Sequence, residues 1–424
     1  MRRDLAGFEQ AEWRFTLLFI PVALGFGARM ALVVFDGPLA RMFTSNGYLI
    51  GLLLATGPLI STIANPVFGR LSDRTWTRWG RRIPYALVAV PLSSLMFFAI
   101  PSAPTYAILL ALFAVRALLI SVGGVPLMSL VPDLIAPARR GRAMSLFMLA
   151  GGVGAIAIQA MGKAFWEANF ALVFYATGTI SLLFAVPPLF FIREPRLRTA
   201  EPHSATVGSL SVRATIEALR EGHPIALFLI SASLRYLGGG LVIAYLTLFA
   251  STDLAISVGD AALAVAVAGI VRLLLALPAG RLVDVYDRKR LLMLAAGVGA
   301  AVHLCTGAAV QNLWQLYCAI GAGTVAGVLE MTAGMPLFMD LLPAPRRGEL
   351  IGINMVLTSL LQGAGALLGG AVFAWTGVYR TIFPIAAVCY ALSALVLTQL
   401  AVPTSEDHAG SAAGLRMSTQ SLNR

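Results

Sequence analysis

Five charged residues stand well away from the ends of long apolar runs of this chain: Arg29, Arg116, Arg235, Arg272 and Glu330. A charge at membrane depth costs roughly 2.5–3.5 kcal/mol on insertion scales, so one that persists there needs a partner, a water-filled cavity or a ligand. A guanidinium presents a fork of donors suited to a carboxylate, a phosphate or a cluster of hydroxyls. Arg29, Arg116, Arg235 and Glu330 are therefore candidate substrate-binding charges, with Asn65, Gln159 and Tyr236 as further hydrogen-bonding groups. Glu330 is also the candidate proton carrier, since intramembrane carboxyl groups are the usual stations of a proton relay. The plainer reading makes each arginine a tie between helices, bonded to backbone carbonyls or a neighbouring polar residue. Arg272 lies nearer the end of its run and reads as a snorkelling side chain, while Asp36, Asp253 and Asp260 lie near run ends and read as solvated.

The elements that must hold these residues follow from composition. Of 424 residues, 58% are hydrophobic and only 12% charged, about half the charged share of a soluble protein. Mean hydropathy is +0.83. This excludes a disordered chain, a disulfide scaffold and a basic nucleic-acid-binding domain. A transmembrane helix needs roughly 20 apolar residues. Runs of that length fall at approximately 13–35, 47–68, 83–101, 105–131, 143–163, 168–192, 224–250, 258–279, 291–309, 312–339, 350–374 and 379–402. No apolar core precedes the first run, so that run is expected to be retained rather than cleaved as a leader. Cys305, Cys318 and Cys389 lie in apolar runs and read as small buried hydrophobes. The sequence carries no metal-ligand cluster, nucleophile–base pair or phosphate-cradling loop, so neither an enzyme nor a cofactor is expected. The run Gly238 to Gly240 reads instead as a place where a helix bends.

Positive charge sets the expected orientation. Of the 31 Lys and Arg residues, Arg41, Lys163 and Arg380 fall in segments of one side and Arg29, Arg116, Arg235 and Arg272 within runs; the other 24 fall on the opposite side. That basic side is expected to be cytoplasmic and to hold both termini, and the net charge of +11 is then a topology signal, not a mark of a polyanionic partner.

The chain also repeats itself. Gly69-Arg70-Leu71-Ser72-Asp73-Arg74 returns 211 residues later as Gly280-Arg281-Leu282-Val283-Asp284. Val125-Pro126-Leu127 with Arg139-Arg140-Gly141 returns as Met335-Pro336-Leu337 with Arg346-Arg347-Gly348, at a spacing of 210. Arg29 and Arg235, 206 apart, are then approximate images, and Arg116 and Glu330 are expected to face one another across a central cavity. The expected organisation is a six-helix bundle over 1–192, a cytoplasmic loop over 193–222, a second six-helix bundle over 223–402 and a cytoplasmic tail over 403–424. The fold class is all-α integral membrane, with twelve helices in two pseudo-symmetric bundles.

Asn65 to Arg74 followed by Thr77 to Pro84, and Val125-Pro126 through Pro132-Asp133 to Arg140-Gly141-Arg142, resemble signatures of the major facilitator superfamily. The likeness is to its glycoside–pentoside–hexuronide:cation and sucrose/proton symporter branch. It implies two halves rocking about a midplane site, a saccharide or related organic solute and a bacterial inner membrane. Where melibiose-permease-like members carry cation-binding acids this chain has Met30, Ser61, Asn65 and Gly124, so a sodium site of that type is not expected. The expected partners are a small-molecule substrate, the lipid bilayer and a proton, with no nucleic acid and no metal. An anionic solute stays open beside a neutral sugar, because arginines outnumber acids. A second reading keeps the fold but handles a lipid, a pigment or another amphipathic molecule, or assists assembly of a membrane protein. Independently of the resemblance, charges at the basic end can pair and break, making a cytoplasmic gate of Gly69, Asp73, Arg74, Arg81, Arg82, Asp133, Arg140, Gly280, Asp284, Arg288, Asp340 and Arg347. Gly69 and Gly280 are expected to let a helix of the other half come close.

Overall fold

The computed structural model describes residues 2–194, 223–343 and 346–401; the expected central loop and tail lie almost wholly outside them. Among the described residues, twelve helices are long and apolar enough to cross a membrane. They are α1 (Glu12–Phe43), α2 (Gly47–Arg74), α3 (Ile83–Ser102), α4 (Tyr106–Val131), α5 (Arg139–Asn169) and α6 (Ala171–Leu189), then α7 (Pro224–Asp253), α8 (Val258–Leu275), α9 (Arg288–Ala309), α10 (Leu313–Leu341), α11 (Arg347–Thr376) and α12 (Tyr379–Thr398). The helix of α8 continues to Val285 and that of α4 to Leu134. Helix starts follow capping chemistry: Asn46, Thr105, Ser257, Asp287 and Asn312 each accept a backbone N–H of the first turn.

Several helices outrun the expected spans, and two of them matter below. The helix of α1 breaks at Leu32 and resumes as Val33–Phe43, carrying Asp36 and Pro38 into the protein. The end of α5 continues to Asn169, so Lys163 and Glu167 stand on a helix and not in a connection.

In the first six helices α1 packs on α5, α4 on α2 and α3, and α6 on α3; in the last six α7 packs on α11 and α12, α9 on α10 and α12, and α8 on α10. The most extensive contacts between the halves are α2 with α11 and α5 with α8. The repeat carries α2 onto α8 and α5 onto α11, so it exchanges these two contacts, as a pseudo-twofold axis between the halves requires.

The cores show where the halves meet. At the end holding the starts of α2 and α8, one core joins Phe35, Leu39, Ile50 and Leu53 of the first half with Leu241, Tyr245, Phe249 and Phe373 of the second. At the arginine-rich end there are two cores, one built from α1, α3, α4, α5 and α6 and the other from α7 to α12, with no residue in common.

Candidate functional site

The arginine-poor end is shut by backbone-close packing. A Cβ on Gly47 would run into the carbonyl oxygen of Gly370, one on Gly51 would lie 3.0 Å from the Ala366 oxygen, and one on Gly259 would lie 2.8 Å from Lys163 Cα. Only residues without side chains permit that approach. Polar contacts cross the same seam. Lys163 pairs with Asp260 at 2.6 Å, the Glu167 carboxylate accepts the Val258 N–H at 3.1 Å, and Thr247 donates to the Val34 carbonyl at 2.6 Å. Asp260 is thus an ion-pair partner, contrary to the expectation of a solvated acid. Asp253 also has a partner, accepting the Arg380 N–H at 2.7 Å, while the Arg380 guanidinium donates to the carbonyls of Gly307 and Val310.

The arginine-rich end is built differently. Arg81 pairs with Asp133 at 2.5 Å, and Arg82 with Asp133 at 3.0 Å and Asp73 at 3.1 Å. Arg140 donates to the Ile135 carbonyl, and Arg288 pairs with Asp340. Arg74 and Arg347 are exposed at helix ends, and the side chain of Asp284 lies outside the described residues. Among the described residues, every ion pair at this end joins two residues of one half. The expected close approach at the repeat glycines is absent in this conformation: a Cβ on Gly69 would meet only Val125 of its own half, at 3.6 Å, and one on Gly280 nothing within 4 Å.

Two acids at this end escaped sequence reasoning. The Glu194 carboxylate accepts the backbone N–H groups of Arg81, Arg82 and Ile83 at 2.8–2.9 Å, capping α3 at the end of its helix dipole where an anion is favoured. Gly80, with φ +109°, makes room for it, since a Cβ there would lie 2.7 Å from Glu194 Cδ. Glu12 does the same for the start of α5, accepting the Ala136 N–H and pairing with Arg139 at 3.0 Å. The available signal was a lone acid beside an apolar run, which does not name its partner.

The intramembrane charges are sorted otherwise than expected. Arg116 does not face Glu330. It forks onto Asp36 at 2.7 and 3.3 Å and lies over the Phe113 ring, 4.1 Å from its centroid. Asp36 is buried, because the continuation of α1 past Leu32 carries it inside. Glu330 accepts from Arg235 Nε at 2.7 Å, and Arg235 Nη1 donates to Ser231 and Ser393 at 2.6 and 2.7 Å. Arg29 is buried, donates to Ser93 Oγ at 3.0 Å and lies 5.6 Å from the Phe26 ring centre.

Arg29 and Arg235 are not repeat images. Gly27 packs against Gly151 and Leu24 against Gly154, as Gly240 does against Gln362 and Leu237 against Gly365. These matches put the α1–α7 spacing at 213, not 206, leaving Arg29 about two turns nearer the sealed end than Arg235. Asn65 is half-buried on the α2 face that carries Gly47, Gly51 and Pro58, seven residues beyond Pro58, which lies against Gly363 of α11. Tyr236 accepts from Asn354 Nδ2 at 3.5 Å, and Gln159 is buried in α5. His303 faces the edge of Tyr390, with ring centres 5.0 Å apart. Ser61 Oγ is 3.2 Å from Ser121 Oγ. Among the described residues no group of His, Cys, Asp and Glu is placed to hold a metal.

Twelve spanning helices among the described residues and two packed halves exchanged by a pseudo-twofold axis define an integral membrane protein of the transporter type. The profile of the Major Facilitator Superfamily matches residues 17–234 and 227–422, and the chain belongs to that superfamily. It is 27% identical over 221 residues to the uncharacterized MFS-type transporter YybF of Bacillus subtilis (strain 168), a match covering 50% of this chain and 52% of the relative. The chain thus spans about half the length of the curated relative it matches. Among solved structures it is similar to a bacterial homolog of the human lysosomal transporter Spinster in an inward-facing, occupied conformation (15% identity, TM-score 0.73, 94% of this chain and 98% of that one). It is also similar to a variant of the nucleoside transporter NupG (14%, 0.74, 92% and 99%) and to a D-xylose-proton symporter (18%, 0.71, 92% and 98%). At these identities the likeness is one of fold.

Proposed function

We propose that the chain is a secondary transporter that moves a small polar solute, a saccharide or related organic solute, by alternating access across the bacterial inner membrane. The observation that carries this reading is the contrast between ends: one core shared by both halves at the sealed end, two separate cores at the other. A path open at one end and closed at the other by glycine contacts is one of the two states that rocking halves exchange. The arginine-rich end is cytoplasmic, and both termini with it, by the distribution of positive charge. The state described is then inward-open, and the single-half ion pairs at that end are gate groups between engagements. The motif likeness to the glycoside–pentoside–hexuronide symporters supports the solute class.

In this reading the solute meets Asn65, Tyr236, Gln159 and Arg29, with the Arg235–Glu330 pair alongside, while Arg116 is occupied by Asp36 and holds α1 on α4. Glu330 takes up the coupling proton by leaving Arg235, and its partial exposure gives it access to water. The test uses a background lacking Cys305, Cys318 and Cys389. Asn65→Cys is exposed to a membrane-impermeant thiol reagent in vesicles of each orientation, with and without a disulfide joining Lys163→Cys to Asp260→Cys. Labelling from the cytoplasmic face that persists in the cross-linked protein, and loss of transport until the cross-link is reduced, are expected. Labelling from the opposite face in the cross-linked protein overturns the reading.

A further inference from the structure

The arginines around the α2–α3 connection divide into two sets. Arg81 and Arg82 are matched by Asp73 and Asp133. Arg74, Arg78 and Arg193 are exposed and have no carboxylate partner among the described residues. Arg193 is brought to this corner by its neighbour Glu194, whose carboxylate caps α3. Uncompensated cations gathered on one short stretch of surface raise the local potential and draw an anion from outside the chain.

The loop that carries Arg78 is ordered by its own bonds. Thr77 and Gly80 exchange both backbone hydrogen bonds, at 2.9 and 3.1 Å. The Thr77 hydroxyl donates to the Gly80 carbonyl at 2.9 Å and accepts the Trp79 N–H at 3.1 Å. Arg78 lies over the Trp79 ring, 5.8 Å from its centre, and Trp79 meets the Phe190 ring edge-on, with centres 6.4 Å apart. Phe190 places this group at the lipid boundary. On α6, Ser181 and Ala185 turn inward onto Ser94 of α3 and Gly25 of α1, whereas Leu183, Phe184 and, just past the helix, Phe190 and Phe191 are exposed. Trp79 continues that apolar surface to the headgroup level, where indoles concentrate. Trp314 and Trp375 are more exposed still, yet among the described residues Trp79 is the one tryptophan with a cation over its ring.

We infer that this corner of the first half binds an anionic phospholipid, its phosphate received by Arg78 beside Trp79 and its acyl chains lying along Phe190 and the exposed face of α6. A guanidinium meets a phosphate with a fork of donors, and the indole beneath it holds that fork at headgroup depth. Arg74 and Arg193 add positive potential, which favours a net negative headgroup over one that carries its own ammonium. The second half has no such corner. Its α8–α9 turn is shorter, Tyr286 and Asp287 alone between Val285 and Arg288, and Arg288 is paired with Asp340. The site does not depend on which solute is moved.

The test reads Trp79 in nanodiscs holding the full chain, with acyl-brominated lipids as quenchers in a background of plain phosphatidylcholine. The Trp79 signal is the difference between the parent and Trp79→Phe. Brominated phosphatidylglycerol should reach half-maximal quenching at a mole fraction about fivefold or more below that of brominated phosphatidylcholine. Arg78→Gln should raise the phosphatidylglycerol value about fivefold, the weight of one arginine at a charged leaflet, and leave the phosphatidylcholine value unchanged. Arg78→Lys keeps the charge and should stay within about twofold of the parent, as should Arg290→Gln, which removes an exposed arginine of the second half. In the parent, about 0.5 M salt should erase most of the preference, an arm that needs no variant. The inference is overturned if phosphatidylcholine or phosphatidylethanolamine quenches as strongly as phosphatidylglycerol, if Arg78→Gln matches the parent, or if no lipid reaches Trp79. Relief of the quenching by soluble glycerol 3-phosphate also overturns it, since the site would then take a free phosphate and not a lipid.

Discussion

The two buried ion pairs of this protein share a chemistry and differ in setting. Asp36–Arg116 lies beside the core that both halves build, its side chains 8% and 11% exposed, with aromatic rings against the guanidinium. Arg235–Glu330 lies lower, within the second half, where Arg235 is 3% exposed but Glu330 is 22% exposed. A pair sealed on both sides cannot exchange a proton without breaking the packing, whereas a pair with one wet member can. The first is suited to holding helices together and the second to changing state. The same contrast runs through the ends of the molecule. The sealed end is closed by glycines and backbone, and the arginine-rich end carries charges that stay within their own half.

The largest expected effect comes from breaking the dry pair. Asp36→Leu leaves Arg116 charged and buried and should lower stability by about 3–5 kcal/mol, read as thermal unfolding in detergent. Adding Arg116→Leu should recover most of that loss. A single variant as stable as the parent would erase the distinction between the pairs. Glu330→Gln is expected to unfold near the parent temperature yet abolish proton-driven accumulation, with counterflow exchange still measurable. Unchanged accumulation would remove Glu330 from coupling.

Two smaller effects compare the ends. Gly47→Leu has no room against Gly370 and should drive the sealed end open, so that Asn65→Cys becomes labelled from the opposite face. Gly280→Leu, with open space around it, should leave this state within about 0.5 kcal/mol of the parent. Transport lost in Gly280→Leu at preserved stability would mark that glycine as a contact of the other state. The smallest change is expected for Lys163→Met. Its side chain is 45% exposed, so the pair with Asp260 contributes about 1 kcal/mol or less and weakens with salt.

Much of the architecture was legible without coordinates. Twelve apolar runs, the Gly69 and Gly280 motifs and the asymmetry of the arginines identify a two-bundle membrane protein, because span length, repetition and the cost of charge in hydrocarbon are properties of the chain itself. The site was legible only as a set of residues. Arg29, Arg116, Arg235 and Glu330 stood out by type and depth, but their partners did not. Asp36 was hidden by its place past the end of an apolar run, and the break at Leu32 that carries it inward leaves no mark in hydropathy. The match of Arg29 with Arg235 failed because their separation of 206 falls short of both the motif spacing of 211 and the 213 that the packing of α1 and α7 sets.

The sequence alone therefore determined that the chain spans a membrane twelve times, repeats after about 211 residues and keeps a few charges where charge is costly. Tertiary structure alone decided which charges cancel, which are left over and which end is shut. Those outcomes depend on contacts between helices far apart in the chain, set by side-chain reach and by the glycines that let backbones touch. Periodicity in one helix carries no information about which face another helix will present to it.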